Sequence, residues 1–297
     1  MAFNPSDIAG KKVKENLPAE KAKKGILTVI LNFILIVFSV TCMFPLIWML
    51  YSSLKLSKEF QADIIALPKA PTFENYIYVA NDPNSHIWTS LFASFRTTII
   101  SIIFIVLFSF IVGYILSRID FKLNKIIYGM FLLGMLIPIH SLLVPIVVVF
   151  QKCGMYNKWF TLLLPYISFG LPIGIFLIES YLKGIPVELE EAAAIDGSSF
   201  TNTLFSIILP VCKPILATVG IIQTFACWNE FSFALVLIND VKYQTVPLAL
   251  TNFSGQFSTN YPRMMTAMLI TMAPIIILYF LFSKQIIKGM VAGAVKG

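Results

Sequence analysis

The chain alternates between long apolar stretches and short charged segments. Five stretches contain no Asp, Glu, Lys or Arg, and a sixth contains only Glu230; they are residues 25–54, 97–117, 126–151, 159–178 and 264–283, with 214–239 as the sixth. A helix needs about 20 apolar residues to cross the roughly 30 Å hydrocarbon core of a bilayer. The pattern therefore predicts six transmembrane helices, at about 26–50, 97–117, 126–150, 160–182, 211–238 and 264–284.

The composition also indicates an integral membrane protein with an all-α fold. Hydrophobic residues make up 58% of the 297 residues and charged residues 12%, with a mean hydropathy of +0.83. Soluble domains carry about 25% charged residues. Runs such as IISIIFIVLF at 99–108 lack the alternation of outer-membrane barrel strands. The first apolar run is about twice as long as a signal-peptide core, so we expect it to be retained as a span.

The distribution of lysines predicts the orientation in the membrane. Six lysines precede the first span, at positions 11, 12, 14, 21, 23 and 24. By the positive-inside rule this tail is cytoplasmic, and an even number of spans places the other terminus there too. Other basic residues divide evenly between the two sides, so the orientation depends on the tail. The pI is near 9.1. Membrane topology explains these lysines, so we expect no nucleic-acid partner.

These expectations divide the chain into three parts. A cytoplasmic tail occupies residues 1–24, a six-helix transmembrane domain residues 25–285, and a second cytoplasmic tail residues 286–297. An external segment at about 55–95 contains Pro, Asn and Asp in a pattern that suits a small folded cap. A cytoplasmic segment, 184–210, joins the fourth and fifth spans.

The sequence lacks the patterns of a catalytic or metal site. Four cysteines lie in or beside the spans without a CxxC spacing, and we interpret them as packing residues: Cys42, Cys153, Cys212 and Cys227. His86 and His140 are too isolated for a zinc site. A Walker A loop requires GxxxxGK[ST], but the pair Gly10-Lys11 is followed by Lys12. We therefore expect no cofactor on this chain and no hydrolysis of ATP by it alone.

The segment 184–210 is acidic, against the trend of the other cytoplasmic segments. Pro186 suits a first helical turn, and Glu188, Glu190 and Glu191 would lie near the positive end of the helix dipole. The three alanines that follow propagate a helix, and Gly197 can adopt the left-handed conformation that ends it. The local sequence thus predicts a short helix and a glycine corner.

A second helix should follow this corner. Ser198 or Ser199 can serve as its N-cap, and it would run to Leu209, before Pro210. The alanines make one face of the first helix shallow, and the carboxylates can bind Arg or Lys of a partner. From the residues alone, a surface element that merely connects two spans is an equal alternative.

The spacing of this segment resembles the EAA loop by which bacterial ABC importer permeases dock on their ATPase. Eight residues carry the match: Glu191, Ala192, Ala193, Asp196, Gly197, Ile207, Leu209 and Pro210. Glu190, beside them, is a further residue expected to take part in coupling to the ATPase. The resemblance extends along nearly the whole chain to carbohydrate-uptake permeases of the maltose-permease G type. Further matching segments are PTFENY (71–76), SRIDFK (117–122), IP (137–138), GMYN (154–157), WNEF (228–231) and GMVAGAVKG (289–297).

The resemblance implies one transmembrane half of a sugar importer in a bacterial plasma membrane. A second permease subunit would form the other half. A homodimer or pair of ATPase subunits would bind ATP and Mg and couple through the EAA loop. An extracellular or lipid-anchored solute-binding protein would deliver the sugar, with an oligosaccharide as the expected substrate. Membrane lipid would surround the assembly.

Polar groups within spans are candidates for the translocation pathway, since they are costly in a bilayer. Trp228, Asn229 and Glu230 lie in the outer half of the fifth predicted span, where Trp could stack on a sugar ring. Alternatively, Asn229 and Glu230 tie this span to neighbouring helices, as interhelical polar contacts do. Pro138 and His140 in the third span are further pathway candidates, with a packing kink and an interhelical donor as alternatives.

Three other functions remain compatible with the sequence, one of them a non-transporting membrane scaffold whose loop docks a regulator rather than an ATPase. A related importer for another solute would carry a similar loop. A stand-alone secondary transporter would need ionisable residues for ion coupling, yet Glu230 is the one such residue well inside a predicted span.

Overall fold

The structure is a computed structural model that describes residues 17–253 and 259–294. The predicted tail residues 1–16 and 295–297 therefore lie outside the described residues. Within these ranges the regular elements are helices: α1 Leu17–Ser53, α2 Ser57–Ala62, α3 Glu74–Asn81, α4 Ile87–Arg118, α5 Asn124–Gly134, α6 Ile139–Lys152, α7 Leu163–Leu182, α8 Glu188–Ile195, α9 Phe200–Asn202, a π-helix Thr203–Ile208, α10 Leu209–Val211, α11 Lys213–Trp228, α12 Ser232–Leu237, a 3-10 helix Val241–Tyr243, α13 Val246–Ala249, a 3-10 helix Leu250–Phe253 and α14 Tyr261–Ala294.

Four of the described helices are long and apolar enough to cross a membrane unbroken. They are α1 from Gly25, α4, α7, and α14 as far as Phe282. Two further apolar segments are bent pairs of helices: α5 with α6 at 99°, and Phe200–Val211 with α11 at 74°. Counting each bent pair as one span gives six, the number that the sequence predicts.

Helix α4 begins ten residues earlier than the predicted span at 97–117. Ile87 starts the helix, so residues 87–95, which the sequence assigned to the external cap, form its first turns. The predicted span begins only after Arg96, because this charged residue bounds the apolar stretch. The helix continues through Arg96 because the guanidinium lies 5.5 Å from the centre of the Trp159 ring and donates to the Trp159 carbonyl at 3.5 Å. The start of α1 likewise precedes the predicted boundary at residue 26.

The third predicted span, 126–150, is not one straight helix. Helix α5 ends at Gly134 and α6 begins at Ile139, with Pro138 in an extended conformation (φ −69°, ψ 122°) between them. Proline lacks an N–H, and its ring disfavours a helical residue before it. The proline that suggested a kink therefore coincides with a sharp break.

Helices α4 and α7 form the centre of the bundle, and glycines allow their close approach. A Cβ atom on Gly174 would lie 2.2 Å from Ser109 Oγ, and one on Gly170 would lie 2.6 Å from Ile105 Cδ1. The two glycines are four residues apart on α7, the spacing of small residues at membrane helix interfaces. Gln223 of α11 donates to the Gly170 carbonyl at 3.3 Å, which joins a third helix to the pair.

Replacing Gly174 with leucine should destabilise the bundle. The new side chain would overlap Ser109, and forced overpacking of this kind costs about 1–3 kcal/mol. Thermal unfolding in detergent would measure the loss. Gly129→Leu is the control, because a Cβ there meets nothing within 4 Å. Equal melting temperatures for the two variants would contradict the proposed glycine packing.

The segment between α1 and α4, within the predicted cap at about 55–95, contains α2 and α3 and buries a lysine. Lys55 is fully buried, and its ammonium donates to the Asp63 carbonyl oxygen at 3.1 Å and lies 5.9 Å from the centre of the Phe60 ring. The Asp63 carboxylate accepts from the backbone N–H of Ala66 and of Ile65, each at 3.0 Å. These bonds lower the pKa of Asp63, because they stabilise its charged form.

Helix α1 lies at the edge of the bundle, and the described part of the chain leaves its apolar residues exposed. The most apolar window of Gly25–Ser53 has no buried residue, and the helix packs along α14. Its apolar surface therefore faces lipid or another subunit.

Candidate functional site

The acidic segment between α7 and α11 has the local structure that the sequence predicts. Helix α8 spans Glu188–Ile195, with its three glutamates in the first turn. Gly197 has φ +78°. The N–H of Ser198 donates to the Ala193 carbonyl at 2.9 Å and that of Gly197 to the Ala194 carbonyl at 3.0 Å. This pair of bonds is the Schellman motif that closes a helix at a left-handed glycine.

The second arm of the segment is less regular than expected. Ser199 is its N-cap, and its hydroxyl accepts from the N–H of Asn202 at 3.4 Å. The helix then widens into a π-helix over Thr203–Ile208 before α10. Leu209 is half-buried against the core, whereas Pro210 is exposed. A π-helix is rare and often marks a functional site, and no residue pattern in the sequence indicated it.

Helix α8 has an outward and an inward face. Its outward face is formed by exposed residues spaced three or four apart, which therefore lie on one side of a helix. They are Glu188, Glu191, Ala192 and Ile195. Asp196 follows them and is also exposed. Ile195 is 86% exposed, an unusual state for a large apolar side chain at a helix end. An acidic rim around an apolar side chain is a surface suited to a basic partner with an apolar groove.

The inward face of α8 is formed by Ala193, which is buried, and Glu190. The Glu190 carboxylate accepts from Arg118 Nε and from the Tyr114 hydroxyl, each at 2.8 Å. Arg118 also donates to the Ile185 carbonyl at 2.8 Å. The side chains of Arg118 and Glu190 are only 10% and 15% exposed. These contacts fasten α8 to the end of α4.

This network corrects one expectation from the sequence. The glutamates were treated together as groups for a partner, but Glu190 is occupied within its own chain. Arg118 and Tyr114 were not among the predicted site residues. The nearest signal is the segment SRIDFK at 117–122, which matched a family motif without assigning a role to Arg118.

Replacing Gly197 with valine should loosen the corner between the two arms. A Cβ there would meet nothing within 4 Å, so the cost is backbone strain alone, about 1–2 kcal/mol for an L-residue in this conformation. We expect amide exchange across residues 188–202 to become about 5- to 30-fold faster. Gly197→Asn is the matched control, since asparagine tolerates the left-handed region. Equal exchange in the two variants would contradict this explanation.

The second candidate site lies at the other end of α11, where the predicted fifth span, 211–238, is interrupted. Helix α11 ends at Trp228, and α12 begins at Ser232. The Glu230 carboxylate accepts from the N–H of Phe233 at 2.7 Å, so it stabilises the start of α12. It also accepts from the Tyr166 hydroxyl of α7 at 3.0 Å. Glu230 thus lies between two helices, caps the start of the second and joins it to α7.

Two neighbours of Glu230 have separate roles. The indole of Trp228 is 4% exposed and packs edge-on against Phe95, with ring centres 4.9 Å apart. In this conformation it offers no face on which a sugar could stack. Asn229 is exposed, and its side-chain amide donates to the Phe225 carbonyl at 2.9 Å. These contacts bury Trp228 in the packing of the bundle and leave Asn229 at the surface.

A cavity of about 320 Å³ adjoins Glu230 and the break between α5 and α6. Its polar lining comes from Glu230, Tyr166 and Gln223, and the rest of the wall is apolar. Pro138 and His140 do not line this cavity and are exposed, although Ile137 and Ile139 beside them do. The structure therefore brings Glu230 to a cavity that the other predicted pathway residues do not line.

Comparison with known proteins identifies related transport proteins. Residues 105–291 match the family described as binding-protein-dependent transport system inner membrane component. The trehalose/maltose transport system permease protein MalG of Thermococcus litoralis is 34% identical over 264 residues, which cover 88% of this chain and 94% of that protein. The sulfoquinovosyl glycerol transport system permease protein SmoH of Agrobacterium fabrum is 32% identical over 256 residues, covering 86% and 89%.

The fold is similar to a solved transporter subunit. A chain in the crystal structure of a bacterial ABC transporter involved in the import of the acidic polysaccharide alginate superimposes with a TM-score of 0.78. The match covers 88% of this chain and 97% of that chain at 20% sequence identity. At this identity the likeness concerns the fold.

Proposed function

The chain belongs to the family of binding-protein-dependent transport system inner membrane components, and we propose that it is a permease subunit of an ATP-driven sugar importer. It would form one half of the translocation pathway. The observation that carries this proposal is the outward face of α8, an exposed apolar side chain with acidic neighbours on a short helix outside the spans. Since the chain has no Walker A sequence, the energy for transport would come from a separate subunit.

The proposed partner at α8 is a pair of ATPase subunits that bind ATP and Mg. Glu188, Glu191 and Asp196 would contact basic residues at the rim of a groove, and Ile195 would enter it. Ala192 lets the partner backbone approach the helix closely. Movement of the ATPases would then pass through the Glu190–Arg118 contact into α4.

A second permease subunit would complete the pathway. Support comes from α1, whose apolar surface is not covered by the rest of this chain. A solute-binding protein would contact the opposite end of the bundle, where α2 and α3 form the cap. In this proposed arrangement both termini and α8 would lie on the cytoplasmic side, as the positive-inside rule predicts from the lysines of the tail.

The names of the relatives support a sugar as substrate. Those named above transport trehalose and maltose or sulfoquinovosyl glycerol. We propose an oligosaccharide or a glycoside of similar size for this chain.

Purification from the native membrane tests the assignment. The tagged chain should bring down a second permease and an ATPase, and hydrolysis should increase when binding protein and sugar are added. Uptake of solute into vesicles by the purified chain alone would overturn the proposal. Recovery of the chain with other proteins but without any ATPase would also contradict it.

We further propose that Glu230 supports the pathway by holding its wall. Glu230→Gln keeps the shape of the side chain but removes its charge, so the bond from Tyr166 and the cap of α12 should weaken. We expect lower amounts of assembled transporter with unchanged sugar preference. Asn229→Ala, at the exposed neighbour, is the comparison. A changed order of preferred sugars for Glu230→Gln would indicate direct contact with substrate instead.

A further inference from the structure

A large polar cavity lies outside both sites described above, at the same end of the bundle as α8. Its volume is about 700 Å³, within the range of small-molecule pockets. The end of α4, the loop 119–123, the start of α5 and the end of α7 form its walls. The basic residues among those that line it are Lys122, Lys125 and Lys183.

Two of the three lysines have no ion-pair partner among the described residues. Lys183 forms an ion pair with Glu179, which is 3% exposed and also lines the cavity. In the part of the chain that the structure describes, Lys122 and Lys125 form no ion pair, and the remaining carboxylate of the lining is Asp120. Two unpaired ammonium groups thus face one unpaired carboxylate. The cavity carries a net positive charge.

Hydrogen bonds hold the wall of the cavity in place, and the wall contains a further hydrogen-bond donor. The Asn124 side-chain amide donates to the carbonyls of Leu116 at 3.0 Å and Ile119 at 2.8 Å, so the loop folds back on the end of α4. Ser117 lines the cavity, and its hydroxyl oxygen is buried without a hydrogen-bond partner. Buried polar atoms are normally paired. A hydroxyl donor beside lysines is suited to a phosphate oxygen.

The position of the cavity indicates where such a phosphate would come from. Three membrane-crossing segments end here, so the cavity lies at the depth of lipid headgroups. Large apolar side chains at its edge are exposed: Ile119, Phe121 and Leu123. The centre of the Tyr128 ring is 5.6 Å from the Lys183 ammonium. Tyrosine is typical of membrane–water interfaces. An amphiphile fits this combination better than a soluble anion.

We propose that this cavity binds the phosphate headgroup of an anionic phospholipid. The phosphate would lie between Lys122 and Lys125 and accept a hydrogen bond from Ser117, while the acyl chains would leave past the exposed apolar edge. Basic pockets between spans on the cytoplasmic side are known to hold anionic headgroups. The lipid would connect the loop between α4 and α5 to α7.

Native mass spectrometry of the full chain tests this proposal. The probes are phosphatidylglycerol and phosphatidylcholine, added at equal concentration to protein purified in detergent. We expect preferential retention of phosphatidylglycerol, and a loss of about fivefold per lysine in the double variant Lys122→Gln/Lys125→Gln. Both side chains are exposed, so the variant should fold. Lys213→Gln, another exposed lysine near the same end, is the matched control.

Three outcomes would overturn the proposal. Equal losses in the double variant and in Lys213→Gln would indicate general surface charge rather than a site. Binding of inorganic phosphate as tight as that of phosphatidylglycerol would assign the cavity to a free anion. Unchanged lipid retention with loss of ATPase assembly would assign the lysines to a protein contact.

Discussion

Replacing Arg118 with alanine is expected to uncouple ATP hydrolysis from sugar uptake by at least about tenfold. The guanidinium is largely buried between the Glu190 carboxylate and the Ile185 carbonyl. Removing one partner of a buried ion pair leaves the other charge unpaired, at a cost of about 3–5 kcal/mol. Helix α8 should then separate from α4, although its outward face is unchanged. The ATPases would still bind, but their movement would not reach the spans.

Uptake per ATP hydrolysed, in liposomes with binding protein and sugar, would measure this effect. The double variant Arg118→Ala/Glu190→Ala removes the unpaired charge, so it should assemble better than the single variant without regaining coupling. Arg118→Lys keeps the charge but loses the second donor and should lie between the two extremes. Normal coupling in Arg118→Ala would show that the contact only stabilises the fold.

Replacing Ile195 with aspartate is expected to weaken assembly with the ATPase about 10- to 150-fold. Burial of an isoleucine side chain contributes about 1.5–3 kcal/mol, and a carboxylate in the same groove would add a desolvation cost. The side chain is 86% exposed in the isolated chain, so its replacement should leave the melting temperature unchanged.

Titration of the ATPase against the purified permease would measure this loss. Ile195→Leu is the matched control, since its volume and polarity are preserved, and it should bind within about threefold of the native chain. If Ile195→Asp bound as tightly as Ile195→Leu, the outward face of α8 would not be the docking surface.

The local structure of the segment 184–210 was predictable because its signals lie within a few residues of each other. Helix-forming alanines, a capping serine and a glycine corner need no distant partner, and Gly197 indeed has a positive φ. The partner of Glu190 is Arg118, 72 residues earlier in the chain, and no local pattern predicts such a contact.

The interruptions of the spans were harder to derive. Apolar stretches indicate where a chain crosses a membrane but not whether the helix is continuous. Pro138 suggested a kink, but the angle of 99° between α5 and α6 depends on how these two helices pack. Glu230 was expected inside a helix. It lies between two helices because its carboxylate can accept amides at the start of α12 and the hydroxyl of Tyr166.

The close glycine packing of α4 against α7 has a consequence for how the subunit changes shape. A turn at 183–187 joins α8 to α7, and Arg118 ties α8 to α4, so these three helices form a closed triangle. A triangle cannot change its angles unless a side breaks. In the proposed transport cycle we therefore expect rotation to occur at the two bends outside the triangle, near Pro138 and Cys212.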